Sequence, residues 1–509
     1  MIRGGDTFDA VVIGGGPAGS AAAHLLASWN WSVLLVHHRM SRPALAESLP
    51  PSIRKLLALV GDLVAVECAR FHPNVGNVAR WANAARTTTT EAPGFHVRRD
   101  DFDRVLREAA SSAGARMVDG LVRCVEPGDP ASVTYVAATG ELVTVRCRQV
   151  LDCSGRAGIV AARGFRRGDA GYRTTAIAAE WESDRWPIEE HARTLVESYE
   201  GGWAWSVPLS ATRRQCTVMI DRPAADGTPA VRGRGAARPD IATIYTREAA
   251  RATMIAGRIR AAQARQIAAP WACDASIYDC TRAADEGVLL VGDAASFIEP
   301  LSSAGVKKAL LSAWRAAVVT NTTLKHPALA SAARDLYSQR ERDVYAESMN
   351  RAGAFFAEAA STYGSPFWSI RAGQTQKDVR ARAHELTPWT DEALAKDAGV
   401  RAAFEYLRGA DGVRLRLSET LRFESVAAIE GREVVLRDGV VLPGGAGAVP
   451  FAAGVDLPAL ARLARGGRDV PALIAAYQAE VGRVPVTGLL TGLSLLVAHR
   501  ALVAEGNRS

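Results

Sequence analysis

Three glycines near the N-terminus have the spacing of a phosphate-binding turn. Gly14, Gly16 and Gly19 follow the apolar run VVI and precede a run rich in alanine and leucine. Gly14 permits a tight turn, Gly16 lets a pyrophosphate approach the backbone, and Gly19 permits close packing of helix on strand. The amides at the start of the helix then bind the pyrophosphate. A strand, this turn and a helix predict dinucleotide binding, and we expect Pro17 and Ala18 to contribute contacts.

Four polar residues lie where such a site needs hydrogen-bonding groups. His37 follows the second strand, at the position where an acidic residue ordinarily accepts from the ribose, although its side chain could equally face solvent. Glu47 stands in a loop before a helix, which fits the edge of a cofactor site. Arg99 stands at a strand–helix junction and could reach a phosphate. Asp293 ends an apolar strand and can accept from a sugar hydroxyl.

The elements that position these residues predict an α/β fold. The chain begins as a Rossmann-like, nucleotide-binding domain and returns to that style at 287–319. Between these parts, strand-like stretches interrupted by a segment rich in Gly, Pro and Arg predict an inserted antiparallel sheet. Beyond about residue 325 the pattern is helical. The last hundred residues predict a small α+β module with a hairpin whose turn is Asp438–Gly439.

These patterns give four regions. We assign residues 1–160 and 280–345 to the nucleotide-binding domain, 161–279 to the substrate-binding sheet, 346–410 to a helical region and 411–509 to the C-terminal module. We see no chemistry in the last of these and expect it to serve packing or partner docking.

Composition limits the classes of function. The 509 residues have 48% hydrophobic and 23% charged residues, as soluble globular proteins do. No apolar run is long enough to span a membrane, and the N-terminus leads directly into the first strand. Seven dispersed cysteines without metal-ligand spacing predict reduced thiols, no metal site and a cytoplasmic protein. The net charge of +7 comes from arginines spread along the chain, which indicates composition bias and solvated faces. The alternative is a docking surface for an acidic or phosphorylated partner, and we expect no nucleic-acid binding.

Three separated motifs together resemble a known superfamily. GGGPAG near the N-terminus, DCSG near residue 152 and GDAASFIEPLSSAG near 292 have the order and spacing of the glutathione-reductase-type FAD-binding fold. The chain is similar to the flavin monooxygenase superfamily, which includes geranylgeranyl reductases and flavin-dependent halogenases. RRDDFD resembles its R-x-x-F-D element at Arg99. The resemblance implies FAD as the cofactor, with contacts at the residues named above, and a flavin-edge loop containing Pro300, Ser303, Ala304 and Gly305.

A further motif resembles the halogenases within that superfamily. Trp203 and Trp205 stand in WAWSVP, which is similar to W-x-W-x-I-P. Tryptophans at i and i+2 share one face of a strand, where they could line a flavin site or simply belong to the core. Halogenases also need a lysine amine, but residues 56–98 contain no lysine, and Lys55 is a poor substitute. Trp81 stands in that stretch instead, so the sequence favours hydroxylation over halogenation.

Among lysine-free relatives, GNVARWAN and PLSSAGVKKALLSAWRAAVVTNT are most similar to flavoproteins that mature tryptophan-derived quinone cofactors. This resemblance implies a monooxygenase that hydroxylates a tryptophan within a protein or peptide substrate by way of a flavin hydroperoxide. Because no second G-x-G-x-x-G follows a strand, reduction could require a separate flavin reductase or free NAD(P)H. No general base can be named; His96 is a candidate only through its proximity to Arg99. The alternatives are a tryptophan or phenol halogenase, a prenyl reductase and a non-catalytic FAD-bound assembly factor.

Overall fold

The structure is a computed structural model, and it divides the chain into two compact units. Unit 1 comprises Met1–Lys325 and Arg340–Ala381, and unit 2 comprises His326–Gln339 and Arg382–Ser509. The residues that the structure describes are 2–38, 43–167, 171–222, 240–382, 394, 396–409, 412–442 and 447–504. Strands and helices are numbered along the chain.

The first sheet of unit 1 has a parallel core of buried strands. β1 is parallel to β2 on one side and to β8 on the other, and the parallel order is β6-β2-β1-β8-β16. Near-continuous apolar strands such as VVI are typical of parallel sheets covered on both faces. β7 joins β6 to β8 as an antiparallel meander, and β15 pairs with β16. The strands are β1 (Thr7–Ile13), β2 (Val33–His37), β6 (Arg116–Glu126), β7 (Ala131–Ala137), β8 (Leu142–Asp152), β15 (Ala284–Asp285) and β16 (Val288–Leu290).

Helices rich in alanine accompany this sheet. α1 follows β1 directly and contacts both α4 and α7. Most residues of α1 are buried, because small side chains let it lie close to the strands and to α7. The helices are α1 (Pro17–Ser28), α2 (Ile53–Val60), α3 (Leu63–Cys68), α4 (Arg99–Ser112) and α7 (Gly305–Lys325).

The second sheet of unit 1 contains nine of the described strands. Its order is β13-β9-β12-β11-β10-β4-β5-β3, with β14 also pairing with β9. β10 and β4 are parallel, and the other pairs are antiparallel. The strands are β3 (Ala46–Leu49), β4 (His72–Trp81), β5 (Ala84–Arg98), β9 (Thr174–Glu182), β10 (Arg193–Tyr199), β11 (Gly202–Pro208), β12 (Arg213–Asp221), β13 (Arg265–Gln266) and β14 (Trp271–Asp274).

Each face of the second sheet packs against a pair of helices. On one face, Ile177 and Val218 share a core with Ile255 of α6. On the other face, Trp203 shares a core with Trp368 of α9. Alternation of side chains along the strands lets one sheet serve both cores. The helices are α5 (Ile241–Arg251), α6 (Thr253–Ala261), α8 (Ala330–Tyr363) and α9 (Pro366–Arg382).

The α/β class, with a Rossmann-like domain and an inserted antiparallel sheet, is confirmed by this architecture. The domain boundary that the sequence predicts at residue 160 does not coincide with the division of the strands between the two sheets. β3, β4 and β5 lie within residues 46–98, yet they belong to the second sheet. β10, the partner of β4, lies about a hundred residues further along the chain, so local patterns could not assign these strands.

Unit 2 has its own hydrophobic core, which includes Leu473 and Leu493. Its hairpin joins β18 to β19 through Gly431 and Arg432, so the predicted Asp438–Gly439 turn is wrong. Those two residues lie inside β19, where the Asp-Gly signal is overridden by pairing with β18. The elements are α10 (Ala398–Gly409), α11 (Leu457–Leu463), α12 (Val470–Glu480), α13 (Val486–Ala498), β17 (Arg414–Leu417), β18 (Arg422–Glu430), β19 (Glu433–Val441), β20 (Ala448–Val449), β21 (Phe451–Ala452), β22 (Val455–Asp456), β23 (Arg468–Asp469) and β24 (Leu502–Ala504).

Candidate active site

The glycine turn after β1 has one open position. Gly14 has a φ of 104°, and a Cβ on it would lie 2.4 Å from the carbonyl oxygen of Cys153. A Cβ on Gly19 would lie 1.8 Å from the carbonyl oxygen of Gly14. Packing within the protein therefore requires both glycines. A Cβ on Gly16 would meet no atom closer than the Asp103 carboxylate at 3.8 Å, so Gly16 borders an open space.

The N-terminus of α1 faces this space without a side-chain cap. Gly16 is the N-cap residue and Pro17 begins the helix, so the first amides have no side-chain acceptor. A Cβ on Gly292 would lie 2.9 Å from the Cβ of Ala18, and Gly292 has a φ of 63°. The loop after β16 can therefore approach α1 closely only because residue 292 is glycine.

His37 and Arg107 border Gly15 from two different elements. A Cβ on Gly15 would lie 2.8 Å from the Cβ of His37 and 2.7 Å from the Cδ of Arg107. Arg107 of α4 also donates to the carbonyl oxygen of Gly15 at 2.9 Å. The structure thus places His37 beside the glycine turn. Sequence reasoning missed Arg107, although its place on the helix of the R-x-x-F-D element was a usable signal.

One guanidinium and three carboxylates form a cluster beside Gly16. Arg99 Nε donates to Asp103 Oδ1 at 3.0 Å, and Arg99 Nη1 donates to Glu47 Oε1 at 3.3 Å. Asp293 acts electrostatically on both Arg99 and Glu47. The structure therefore brings together Glu47, Arg99 and Asp293, which stand far apart in the sequence. Asp103 was missed as a site residue, although it is the aspartate of the R-x-x-F-D element.

Burial governs the charges in this cluster. Burial raises the pKa of Glu47, and Arg99 offsets only part of the rise. Burial raises the pKa of Asp103 in the same way. Burial would lower the pKa of Arg99, but Asp103 and Glu47 outweigh it and hold that pKa above its ordinary value. A permanently charged guanidinium therefore stands among carboxylates that can accept from sugar hydroxyls.

Lys308 holds the loop that contains Asp293. Its Nζ donates to the carbonyl oxygen of Gly292 at 2.8 Å and also to that of Ser296, and it lies 3.8 Å from Asp293 Oδ1. Lys308 is only 4% exposed, so its amine interacts with the loop rather than with solvent. The hydroxyl of Tyr278 donates to the carbonyl oxygen of Asp293 at 2.5 Å. Sequence reasoning missed both supports, because neither follows from local spacing.

The next loop leads into α7. Pro300 begins a short 3₁₀ turn, and Ser303 has a left-handed φ of 48°. Ala304 accepts from the amide of Lys308 at 2.8 Å. Gly305 begins α7, and a Cβ on it would meet nothing within 4 Å. The start of α7 is therefore a second helix N-terminus that faces open space.

The three predicted tryptophans lie in one aromatic cluster. The rings of Trp203 and Trp205 stack with centroids 4.8 Å apart, on one face of β11. Trp81 meets Trp203 edge-on at 6.5 Å and Trp368 at 5.4 Å. Trp81 and Trp203 are 3% exposed, whereas Trp205 is half-buried. Sequence reasoning missed Trp368, because only the fold brings α9 onto this sheet.

A buried carboxyl group touches the cluster. Glu299 is 3% exposed and accepts a hydrogen bond from the Trp203 side chain. It also interacts electrostatically with Arg371. Burial raises the pKa of Glu299 to about 7, although Arg371 and Trp203 oppose the rise. Glu299 immediately precedes Pro300, so it links the aromatic cluster to the loop before α7.

His96 is a buried residue of the second sheet, opposite Ser48 of β3. His96 is 1% exposed, and its Nε2 lies 3.0 Å from Thr194 Oγ1. Burial lowers the pKa of His96 well below its ordinary value, and His72 adds to the effect. The structure thus supports the reading of His96 as a sheet residue rather than a general base. Lys55 is exposed on α2.

The groups present fit FAD. The open side of Gly16, the uncapped start of α1 and Arg99 can hold a pyrophosphate. Glu47 and Asp293 supply acceptors for ribose and ribitol hydroxyls, and the start of α7 can face the polar edge of the flavin ring. The described residues contain no group of three or more His, Cys, Asp or Glu side chains placed to hold a metal ion. In the same part of the chain, no helix has the length and apolar character that crossing a bilayer requires.

Comparison with known proteins identifies relatives. The tryptophan halogenase family model matches residues 62–397. A flavin-dependent halogenase, armH4 of Armillaria mellea, is 26% identical over 347 residues, which cover 62% of this chain and 65% of the relative. The chain therefore spans less than two thirds of that relative's length.

Two solved structures share the fold. The flavin-dependent halogenase CmlS aligns with a TM-score of 0.75 at 21% identity and covers 99% of this chain and 96% of its own. QhpG, a peptidyl tryptophan dihydroxylase essential for tryptophylquinone cofactor biogenesis, aligns with a TM-score of 0.65 at 23% identity. The alignment covers 94% of this chain and 100% of QhpG. At these identities the likeness establishes the fold.

Proposed function

Because this chain belongs to the tryptophan halogenase family of FAD-dependent oxidoreductases, we propose that it is a monooxygenase that hydroxylates a tryptophan side chain within a polypeptide. One observation carries the proposal: a carboxyl group, Glu299, accepts a hydrogen bond from Trp203 of the aromatic cluster. Lys308 is held by backbone carbonyls, and residues 56–98 contain no lysine.

FAD, when bound, supplies the activated oxygen. The protein's own groups position the reactants. Trp205 is half-buried and backed by the stacked ring of Trp203, so it offers a flat apolar wall against which an indole can stack with a gain of about 1 kcal/mol beyond its burial. The buried rings of Trp81 and Trp368 keep water from the wall. Such an arrangement contributes chiefly by holding an electron-rich ring in a reactive orientation.

A polypeptide substrate is favoured by two likenesses. The segments GNVARWAN and PLSSAGVKKALLSAWRAAVVTNT are similar to those of flavoproteins that mature tryptophylquinones. The fold of the peptidyl tryptophan dihydroxylase QhpG matches nearly the whole chain. We infer cytoplasmic action on the substrate protein, since no disulfide joins the cysteines of the described residues. A separate flavin reductase would supply electrons.

Halogenation is the second candidate function. The family match and the W-x-W pair both favour it. It requires an amine near the aromatic wall, so it depends on a lysine from a part of the chain other than 56–98. The product distinguishes the two functions, because only halogenation consumes halide.

The deciding experiment gives the protein reduced FAD, oxygen and bromide, together with free tryptophan and a peptide that contains one tryptophan. Mass spectrometry should show one or two oxygen atoms added to the peptide, at a rate independent of bromide. A Trp205→Leu variant removes the half-buried ring of the wall. It should bind FAD normally and lose most of its turnover of the peptide. A bromine isotope pattern would establish the halogenase instead. Unchanged substrates under all conditions would favour a reductase or an assembly factor.

A further inference from the structure

The hairpin of β4 and β5 has a sheet edge without a partner. β5 pairs with β4 along one side, and on its other side it pairs with β3 only at residues 95–98. Among the described residues, no strand pairs with the outer edge of residues 84–92. Residues 85–89 are all exposed. Free edges of this length are ordinarily shortened or protected, because they template pairing with another chain.

The turn fixes which amides face outward. Ala82 and Asn83 have φ values of 48° and 65°, the pattern of a two-residue type I′ hairpin turn closed by Trp81 and Ala84. Pairs alternate between hydrogen-bonded and non-hydrogen-bonded along such a ladder. The backbone groups of residues 84, 86 and 88 therefore point towards β4, and those of 85, 87 and 89 point away from it.

Contacts around Thr88 agree with this alternation. The carbonyl oxygen of Thr88 lies 2.0 Å from the Cβ position of Gly76, so it points towards β4. Arg193 Nη1 donates to the same oxygen at 2.8 Å. In the described structure, no hydrogen bond reaches the backbone groups of Ala85, Thr87 or Thr89. The outer edge thus offers three exposed N–H groups and three exposed C=O groups.

The edge is chemically suited to a peptide backbone. Thr87, Thr88 and Thr89 are β-branched residues, which favour strands. The one charge among residues 84–90, Arg86, pairs with Glu358 at 2.6 Å and is therefore held by α8. The edge begins three residues after Trp81, whose ring lies in the aromatic cluster. In the sheet, β4 and β10 lie between β5 and β11, the strand of Trp203, so about six extended residues would connect a strand added here to a tryptophan at the cluster.

We propose that residues 85–89 of β5 bind an extended segment of the substrate polypeptide as an added β-strand, next to the segment that presents its tryptophan to the aromatic cluster. This rests on the proposed function and names the surface that recognises the substrate. Backbone hydrogen bonds from alternate residues would supply affinity that depends little on side chains. The strand would span about 13 Å along the edge.

Two substitutions at one position test the proposal. Thr87→Pro removes an outward N–H and leaves the pairing with β4 intact, because proline is tolerated on an edge strand where its nitrogen faces solvent. Thr87→Val removes the hydroxyl but keeps the N–H. The probe is a fluorescein-labelled peptide of about twelve residues with one tryptophan near one end, whose binding is measured by anisotropy.

We expect Thr87→Pro to weaken peptide binding about tenfold, whereas Thr87→Val binds like the wild type. FAD affinity should be equal in all three proteins. N-methylation of the peptide amides that face β5 should weaken binding to the wild type. N-methylation of the alternate amides, which face away from β5, should have little effect. Equal binding by the proline and valine variants would overturn the edge site and leave the proposed reaction standing. A wild-type protein that binds and oxidises no tryptophan peptide would overturn the proposed substrate, and the edge site with it.

Discussion

The side chain of Trp203 donates a hydrogen bond to the buried carboxyl group of Glu299. This contact ties the aromatic strand β11 to the loop that precedes α7. A tryptophan in the core would need no carboxylate, and a buried carboxyl group needs a donor if it is to remain ionised. The pair therefore couples the charge state of the loop to the geometry of the aromatic wall.

Glu299 should make stability depend on pH. Burial raises the pKa of Glu299 from 4.5 to about 7 in the folded protein, so the folded state binds the proton more tightly than the unfolded chain does. The resulting stability is complete below about pH 4.5 and is lost as the pH rises through about 7. The difference is on the order of 3 kcal/mol.

Glu299→Gln removes this dependence and retains an acceptor for Trp203. Urea unfolding near pH 5 and near pH 8 should show the wild type losing stability relative to the variant at the higher pH. A Glu189→Gln control, at an exposed glutamate, should follow the wild type. Parallel pH profiles for wild type and Glu299→Gln would show that the carboxyl group titrates normally.

Gly16 and Gly19 should respond differently to one added methyl group. Gly19→Ala places a Cβ 1.8 Å from a backbone oxygen, so we expect a loss of about 3 kcal/mol in the free energy of unfolding. Gly16→Ala meets no protein atom closer than 3.8 Å, so its cost should stay below about 1 kcal/mol. FAD affinity of Gly16→Ala should nevertheless fall about tenfold or more, since the methyl group occupies the space for the pyrophosphate.

Urea unfolding without added flavin and fluorescence titration with FAD measure these two effects separately. If Gly16→Ala binds FAD as tightly as the wild type, the pyrophosphate does not approach Gly16.

Arg99 and Arg98 form a matched pair for testing the carboxylate cluster. Arg99→Ala leaves Glu47, Asp103 and Asp293 without their shared cation. We expect FAD affinity to fall about ten- to hundredfold, the range for loss of a charge-assisted hydrogen bond. Arg98→Ala removes a neighbouring arginine that pairs with Glu180 at 3.0 Å and is 35% exposed. We expect it to change the free energy of FAD binding by less than about 1 kcal/mol.

FAD titration of both variants decides the point. Similar losses in Arg98→Ala and Arg99→Ala would indicate a general effect of positive charge rather than a specific site.

The sequence could predict the parts of the site that local spacing determines. The glycine turn, the R-x-x-F-D element and the tryptophan pair each occupy one short segment, and their chemistry follows from residue type. Two supports came from elsewhere in the chain: Trp368 from α9 and Lys308 from α7. Their roles depend on helix packing, which no local pattern encodes. The same limit explains why β3, β4 and β5 were assigned to the first domain and why the Asp438–Gly439 turn was wrong.

Lys308 and Lys307 should separate loop support from surface charge. Lys308 is buried and donates to two backbone carbonyls, whereas the adjacent Lys307 is half-buried. Lys308→Met leaves those carbonyls and Asp293 without the amine, so the free energy of unfolding should fall by about 3 kcal/mol. FAD affinity should fall as well, because Asp293 loses its support, whereas Lys307→Met should change both quantities little. Urea unfolding and FAD titration of the two variants provide the measurement. A Lys308→Met protein that keeps wild-type stability and FAD affinity would mean that Tyr278 alone suffices to hold the loop.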